Sequence, residues 1–122
     1  MSDSLNLGPR GEALAWNFLR KQGYSILEKN YRIRLGEIDV IARKKEWIAF
    51  IEVKTRLDHQ FGTPGESINW RKQRKLTRVA QTYLQAKGLE NQPSRFDVLS
   101  ITWNGTGEPV FDLLEDAFTV DT

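Results

Sequence analysis

The sequence predicts an α/β fold, a mixed central β-sheet flanked by helices. Three observations predict it. The expected elements run in the order helix, strands, helix, strands. The two β-rich runs, Glu37–Ala42 and Trp47–Lys54, are apolar at nearly every position, as strands covered on both faces are. A chain of 122 residues with 39% hydrophobic content suits one core and one domain, residues 1–122.

The first helix is expected over Arg10–Gln22, with Pro9 at its start and Gly23 as its stop. Leu14, Ala15, Phe18, Leu19 and Gln22 form its inward stripe, and Glu12 lies in its first turn. Tyr24–Tyr31 reads as a short, irregular strand, and Arg32–Gly36 as a basic connection or strand end. The runs Glu37–Ala42 and Trp47–Lys54, joined by the polar Arg43–Glu46, form a hairpin. A loop over Thr55–Gly65 contains His59, Gly62, Pro64 and Gly65. The long helix spans Asn69–Lys87 and stops at Gly88, with Ile68, Leu76, Val79, Ala80, Tyr83 and Leu84 along its inward stripe. Arg95–Trp103 alternates apolar and polar as a strand, Asn104–Gly107 turns, and Val110–Leu114 closes the sheet edge.

Composition removes several chemistries. Mean hydropathy is −0.52, and no apolar run approaches the ~20 residues of a membrane span. The opening residues lack the basic and apolar regions of a secretory signal, so a cytoplasmic protein with no membrane partner is expected. Without cysteine there are no disulfides, thiol nucleophiles or zinc fingers, and one histidine, His59, builds no multi-histidine centre. Any metal must be held by carboxylates. The net charge of +2 hides a split: Arg20–Arg78 carries 15 basic and 7 acidic residues, the remainder 3 and 9. A basic middle between acidic ends fits either a polyanionic partner or a solvated surface.

Side chains two apart on a strand share a face. Ile48, Phe50, Glu52 and Lys54 therefore share one face, on which an apolar row turns ionised. Glu37, Asp39 and Ile41 share a face of the preceding strand, and Ile38, Val40 and Ala42 the other. If the Asp39 and Glu52 faces coincide, two carboxylates converge with a lysine one pleat further on. That count suffices for Mg2+ or Mn2+, which take one or two carboxylates plus waters and substrate phosphate. Such a metal polarises a scissile phosphate and lowers the pKa of a water, while Lys54 orients that water or stabilises charge. The same residues also fit a surface ion-pair network worth ~0–1 kcal/mol per exposed pair. On the long helix, Lys72 lies on the inward stripe, four residues before Leu76. There it either snorkels to solvent or reaches a site between helix and sheet. Trp16, Trp47 and Trp103 read as core; Trp70 either packs or stacks on a base. His59 is expected as a surface loop residue.

Across Gly36-Glu-Ile-Asp-Val-Ile-Ala42 and Phe50-Ile-Glu-Val-Lys-Thr-Arg56 the sequence resembles the PD-(D/E)XK nuclease superfamily. More closely it is similar to the YraN-like family of short bacterial proteins, through Gly11-Glu12, the lysine opening the long helix and the late Arg95-Phe-Asp97 strand. The likeness runs from about Gly11 to Ile101. It implies a restriction-endonuclease-like fold, similar to archaeal Holliday-junction resolvases. It also implies metal-binding acids at Asp39 and Glu52, a catalytic lysine at Lys54, an assisting acid at Glu12 acting through water, and a phosphate contact at Lys72. The departure is Ile38 where the superfamily pattern has proline.

The expected function is therefore Mg2+- or Mn2+-dependent hydrolysis of DNA, selective for structure and not sequence. Arg56, Arg71, Arg74 and Lys75 are among the expected phosphate contacts. Cutting both strands of a duplex favours a two-fold homodimer. The alternative is a non-catalytic nucleic-acid-binding protein on a nuclease scaffold.

Overall fold

The computed structural model describes residues 8–56, 68–103 and 108–118. Its elements are α1 (Gly8–Lys21), β1 (Ser25–Ile33), β2 (Gly36–Lys44), β3 (Trp47–Arg56), α2 (Trp70–Lys87), β4 (Ser94–Thr102) and β5 (Val110–Phe118). The strands form one sheet in the order β1-β2-β3-β4-β5. All neighbours are antiparallel except β3 and β4, the pair whose connection contains α2. The fold is α/β with a mixed five-stranded sheet and two helices, an arrangement compatible with a restriction-endonuclease-like fold. Among the described residues no helix is long and apolar enough to cross a membrane.

The near-continuous apolar runs of β2 and β3 are explained by two core layers. On one side Ile38, Ile41, Ile48, Phe50 and Val98 pack with Ile68, Leu76, Val79, Ala80 and Tyr83 of the α2 region. On the other, Val40, Ala42, Ala49, Ile51, Leu99 and Ile101 pack with Ala15 and Leu19 of α1 and with Tyr24. Ends of α2 are set by local chemistry. Asn69, in extended conformation, accepts from the Lys72 N–H at 2.9 Å, and Gly88 stops the helix at φ +68°, in the left-handed region that glycine enters without a Cβ clash.

The strands run longer than their sequence patterns suggest. β1 continues through the expected basic connection to Ile33, with a register shift between Ile26 and Glu28 that breaks the alternation. Arg43 and Lys44 belong to β2, leaving a two-residue turn with Lys45 at φ +56°. β5 extends to Phe118 through a second shift, where Asp116 has φ +55°. Ile38, expected on the Val40 face, packs instead with Ile41 and Phe50. The alternation of β2 breaks at Asp39, between Ile38 and Val40, where Asn30 of the paired β1 has φ +53° and the β2–β3 ladder has already ended at Val40↔Ile51. The expected loop residues His59, Gly62, Pro64 and Gly65 and the turn Asn104–Gly107 lie outside the described residues.

Candidate functional site

In the β2–β3 ladder Ile41 stands opposite Phe50, both facing α2. Two residues outward from Phe50 on its face of β3 comes Glu52, and on β2 Asp39 stands where the alternation breaks between Ile38 and Val40. Here the two strands stop pairing, and Asp39 fills the gap: its Oδ2 accepts from the Val53 N–H at 2.8 Å. A carboxylate replaces the carbonyl of a continued ladder and is thereby fixed beside Glu52. Lys72, held in the first turn of α2 by the Asn69 cap, reaches down so that its Nζ donates to Glu52 Oε2 at 2.5 Å. Lys54 Nζ lies 3.9 Å from the same oxygen. The Glu52 side chain is 11% exposed and that of Lys72 39%, so the cluster is a half-buried group opening to solvent on the helix side.

This arrangement shifts its titrating groups. Burial and then the Glu52 charge push Asp39 up to about 7, with Glu37 adding to the rise; the Val53 N–H and Lys72 pull the other way. For Lys72, burial alone lowers the pKa, but the hydrogen bond and charge of Glu52, with Asp39 behind it, leave it raised. The snorkelling alternative for Lys72 is thus replaced by an inward contact. The two neighbouring carboxylates are hard oxygen donors of the kind that suit Mg2+ or Mn2+.

The structure brings together Asp39, Glu52, Lys54 and Lys72. Glu12, expected to act through water, forms no direct three-carboxylate group with Asp39 and Glu52: among the described residues no three His, Cys, Asp or Glu side chains form a metal-ligating group. Its Oε2 takes a long 3.5 Å hydrogen bond from Asn30, which sits in β1 between the Lys29↔Val40 and Tyr31↔Ile38 pairs. Arg56 ends β3 half-buried, its carbonyl accepting from the Trp103 N–H at 2.8 Å. Arg71, Arg74 and Lys75 are exposed on the outer side of α2, with Arg78 completing the stripe. Trp16 and Trp103 pack against the α1-side core, and Trp47 is half-buried with Arg95 5.7 Å from its ring centroid. Trp70 does not pack: it is 66% exposed.

Two features escaped the sequence. In β4, Ser100 and Thr102 stand in register with Lys54 and Arg56, buried, their hydroxyls without hydrogen-bond partners. The available signal was a row, Phe96, Val98, Ser100, Thr102, that turns from apolar to polar as β3 does. On the opposite face of the sheet, buried Asp97 accepts from the Tyr24 hydroxyl at 2.7 Å, from Arg95 Nε at 3.4 Å and from the Asp116 N–H at 2.8 Å. Glu115 joins them by accepting from the Tyr24 hydroxyl at 3.2 Å and pairing with Arg95 at 3.5 Å, and it also takes Lys44 Nζ at 2.6 Å. Burial raises Asp97 despite these donors, and burial and then Asp97 raise Tyr24. This network clamps the irregular part of β5 to β4 and to the start of β1.

Fold and site together define a class: a mixed-sheet α/β protein carrying two carboxylates and two lysines where its second and third strands part. The chain belongs to the uncharacterised protein family UPF0102, the YraN-like family, whose model matches residues 11–101. A UPF0102 protein of Alkaliphilus metalliredigens is 50% identical over 98 residues, covering 80% of this chain and 86% of that protein. One from Clostridium perfringens strain 13 is 47% identical over 116 residues, 94% and 95% of the two chains. A third, from Caldicellulosiruptor saccharolyticus, is 44% identical over 113 residues, 92% and 96%. The matched span contains every residue of the cluster.

Proposed function

We propose that this chain is a divalent-metal-dependent nuclease of PD-(D/E)XK type that hydrolyses DNA phosphodiesters. The observation that carries the reading is the convergence of Asp39, Glu52, Lys54 and Lys72 where β2 and β3 part. Asp39 and Glu52 would hold Mg2+ or Mn2+. When bound, such an ion supplies Lewis-acid polarisation of a phosphate oxygen and a lowered pKa for water. The remaining work falls to the chain's own groups. Lys54, a β3 neighbour of Glu52, places a hydrogen-bond donor where the attacking water is oriented and where negative charge grows on the phosphorane oxygens. Lys72 has three donors on a long stem; as a phosphate enters, its ammonium passes from Glu52 to a phosphate oxygen. The basic outer stripe of α2 holds the polyanion without reading its sequence.

Duplex, single-stranded and branched DNA, incubated with Mg2+ or Mn2+, test this directly. Wild type is expected to cut at least one of them, and Asp39→Ala and Lys54→Ala to lose about 100-fold or more in rate, the scale of one positioned catalytic group. Cleavage that persists in both variants rules the site out.

One observation favours a second reading, a non-catalytic nucleic-acid-binding protein: the Lys72 ammonium already neutralises Glu52. The two readings part on Lys72→Ala. If Lys72 merely occupies the metal's seat until substrate arrives, its removal tightens Mn2+ binding by roughly five-fold, the equivalent of a ~1 kcal/mol ion pair. If the pair is a permanent structural tie, calorimetry finds no Mn2+ bound to either protein.

A further inference from the structure

Trp70 is the first residue of α2 and, at 66%, the most exposed large hydrophobic side chain among the described residues. A single surface aromatic needs no explanation by itself; its surroundings do. Helical periodicity puts Trp70, Arg71, Arg74 and Arg78 on the outer side of α2, while Lys72, Leu76 and Val79 face the sheet. The Arg74 guanidinium lies 5.7 Å from the Trp70 ring centroid. The helix contains no Asp or Glu, so nothing on it neutralises this row, and the positive end of its dipole lies at Trp70.

We propose that Trp70 is a stacking platform for an unpaired nucleobase, and that the site described above therefore takes single-stranded or frayed DNA in preference to continuous duplex. The inference rests on the proposed nucleic-acid reading and deepens it. An exposed indole with a planar cation beside it offers a base two flat partners, and the remaining arginines meet the phosphates on either side. In a continuous duplex the base faces are covered by their neighbours, and reaching one requires unstacking a step. Placement agrees with this. Trp70 precedes Lys72 by two residues, about 3 Å along the helix axis, on the other side of a helix roughly 10 Å across. A strand with a phosphate at Lys72 that passes around the start of α2 brings a nearby base onto the indole.

The test measures fluorescence anisotropy in EDTA, where no metal-dependent cleavage intervenes, with wild type, Trp70→Ala and Trp70→Phe. Three labelled probes are used: a short oligothymidylate, the same strand with abasic spacers in place of bases, and a blunt hairpin duplex. The expected result is that Trp70→Ala weakens oligothymidylate binding by roughly 5- to 150-fold, the range for one stacked base. Trp70→Phe retains most of the affinity, and binding of the abasic and duplex probes is unchanged by either substitution. Because the side chain is exposed, both variants keep the wild-type circular dichroism spectrum. Indifference of all three probes to Trp70→Ala, or an equal loss on all three, overturns the stacking platform while leaving phosphate binding intact. Failure of wild type to bind any probe overturns both readings together.

Discussion

Asp39 is held between opposing electrostatic forces. Its carboxylate is committed to the Val53 N–H, which favours the charged form, yet burial and the neighbouring Glu52 charge outweigh that bond and bring it to about 7. An unfolded aspartate titrates near 3.9. Between roughly pH 4 and 7, then, the folded chain holds a proton that the unfolded chain has lost. Stability from this group is present below that window and is lost as pH rises through it. Asp39→Asn keeps an oxygen for Val53 and removes the titration, so the denaturation midpoint of the variant, measured at pH 5 and pH 8 without metal, should fall less than that of wild type. If Asp39 holds a dication as proposed, the same proton must leave before the ion binds. Mn2+ affinity should therefore climb by up to about tenfold per pH unit below 7 and level off above it. Calorimetry in two buffers of different ionisation enthalpy would show the released proton in wild type and none from this position in Asp39→Asn.

At the level of elements, the site exists because three of them end or begin in one place. β2 parts from β3 after Val40↔Ile51, β3 carries its ionised pleats past the core, and α2 begins above them. The start of α2 is fixed by a single side chain, Asn69, whose oxygen accepts from the N–H of Lys72 itself. Asn69→Ala is expected to cost about 1 kcal/mol in chemical denaturation and to fray the turn that aims Lys72 at Glu52. Asn69→Asp, which caps equally well, should restore the stability. Much of this was legible in the chain. A period of two places Glu52 and Lys54 on one face, but it leaves the meeting with Asp39 conditional, because the alternation of β2 breaks there and Asp39 is positioned by its bond to the Val53 N–H. A period of 3.6 puts Lys72 on the inward stripe. What periodicity does not encode is the partner: whether an inward lysine escapes to water or meets a carboxylate depends on Glu52, 20 residues earlier. Trp70, which beside Arg71 reads as either packed or stacking on a base, lies off the Leu76–Val79 stripe at helical spacing, and its 66% exposure decides for the outer side. The Tyr24–Asp97 bond joins residues 73 apart and leaves no mark on any local pattern.

Across the whole molecule, charge and architecture run in parallel. The basic span from Arg20 to Arg78 builds β1, β2, β3 and the first half of α2, while Glu108, Asp112, Glu115 and Asp116 lie in or just before β5, the opposite edge strand. The opposite, α1-facing side of the sheet is closed by its own core and by the Asp97 network. If the chain takes a polyanion as proposed, this field would direct it to the α2 side and away from β5. Salt dependence reads how many of the outer cations it meets. Each phosphate contact adds about −0.7 to the slope of log K against log salt on a single strand. The triple variant Arg71→Gln, Lys75→Gln, Arg78→Gln should therefore flatten the slope by about 2 if all three contacts form. Lys87→Gln, at the far end of α2 and within 4.0 Å of Glu28, should leave it nearly unchanged. Anisotropy titrations with oligothymidylate from low to physiological salt separate these outcomes. Equal slopes for wild type and the triple variant would mean that the outer stripe of α2 only solvates the helix and that the polyanion, if bound, is held elsewhere.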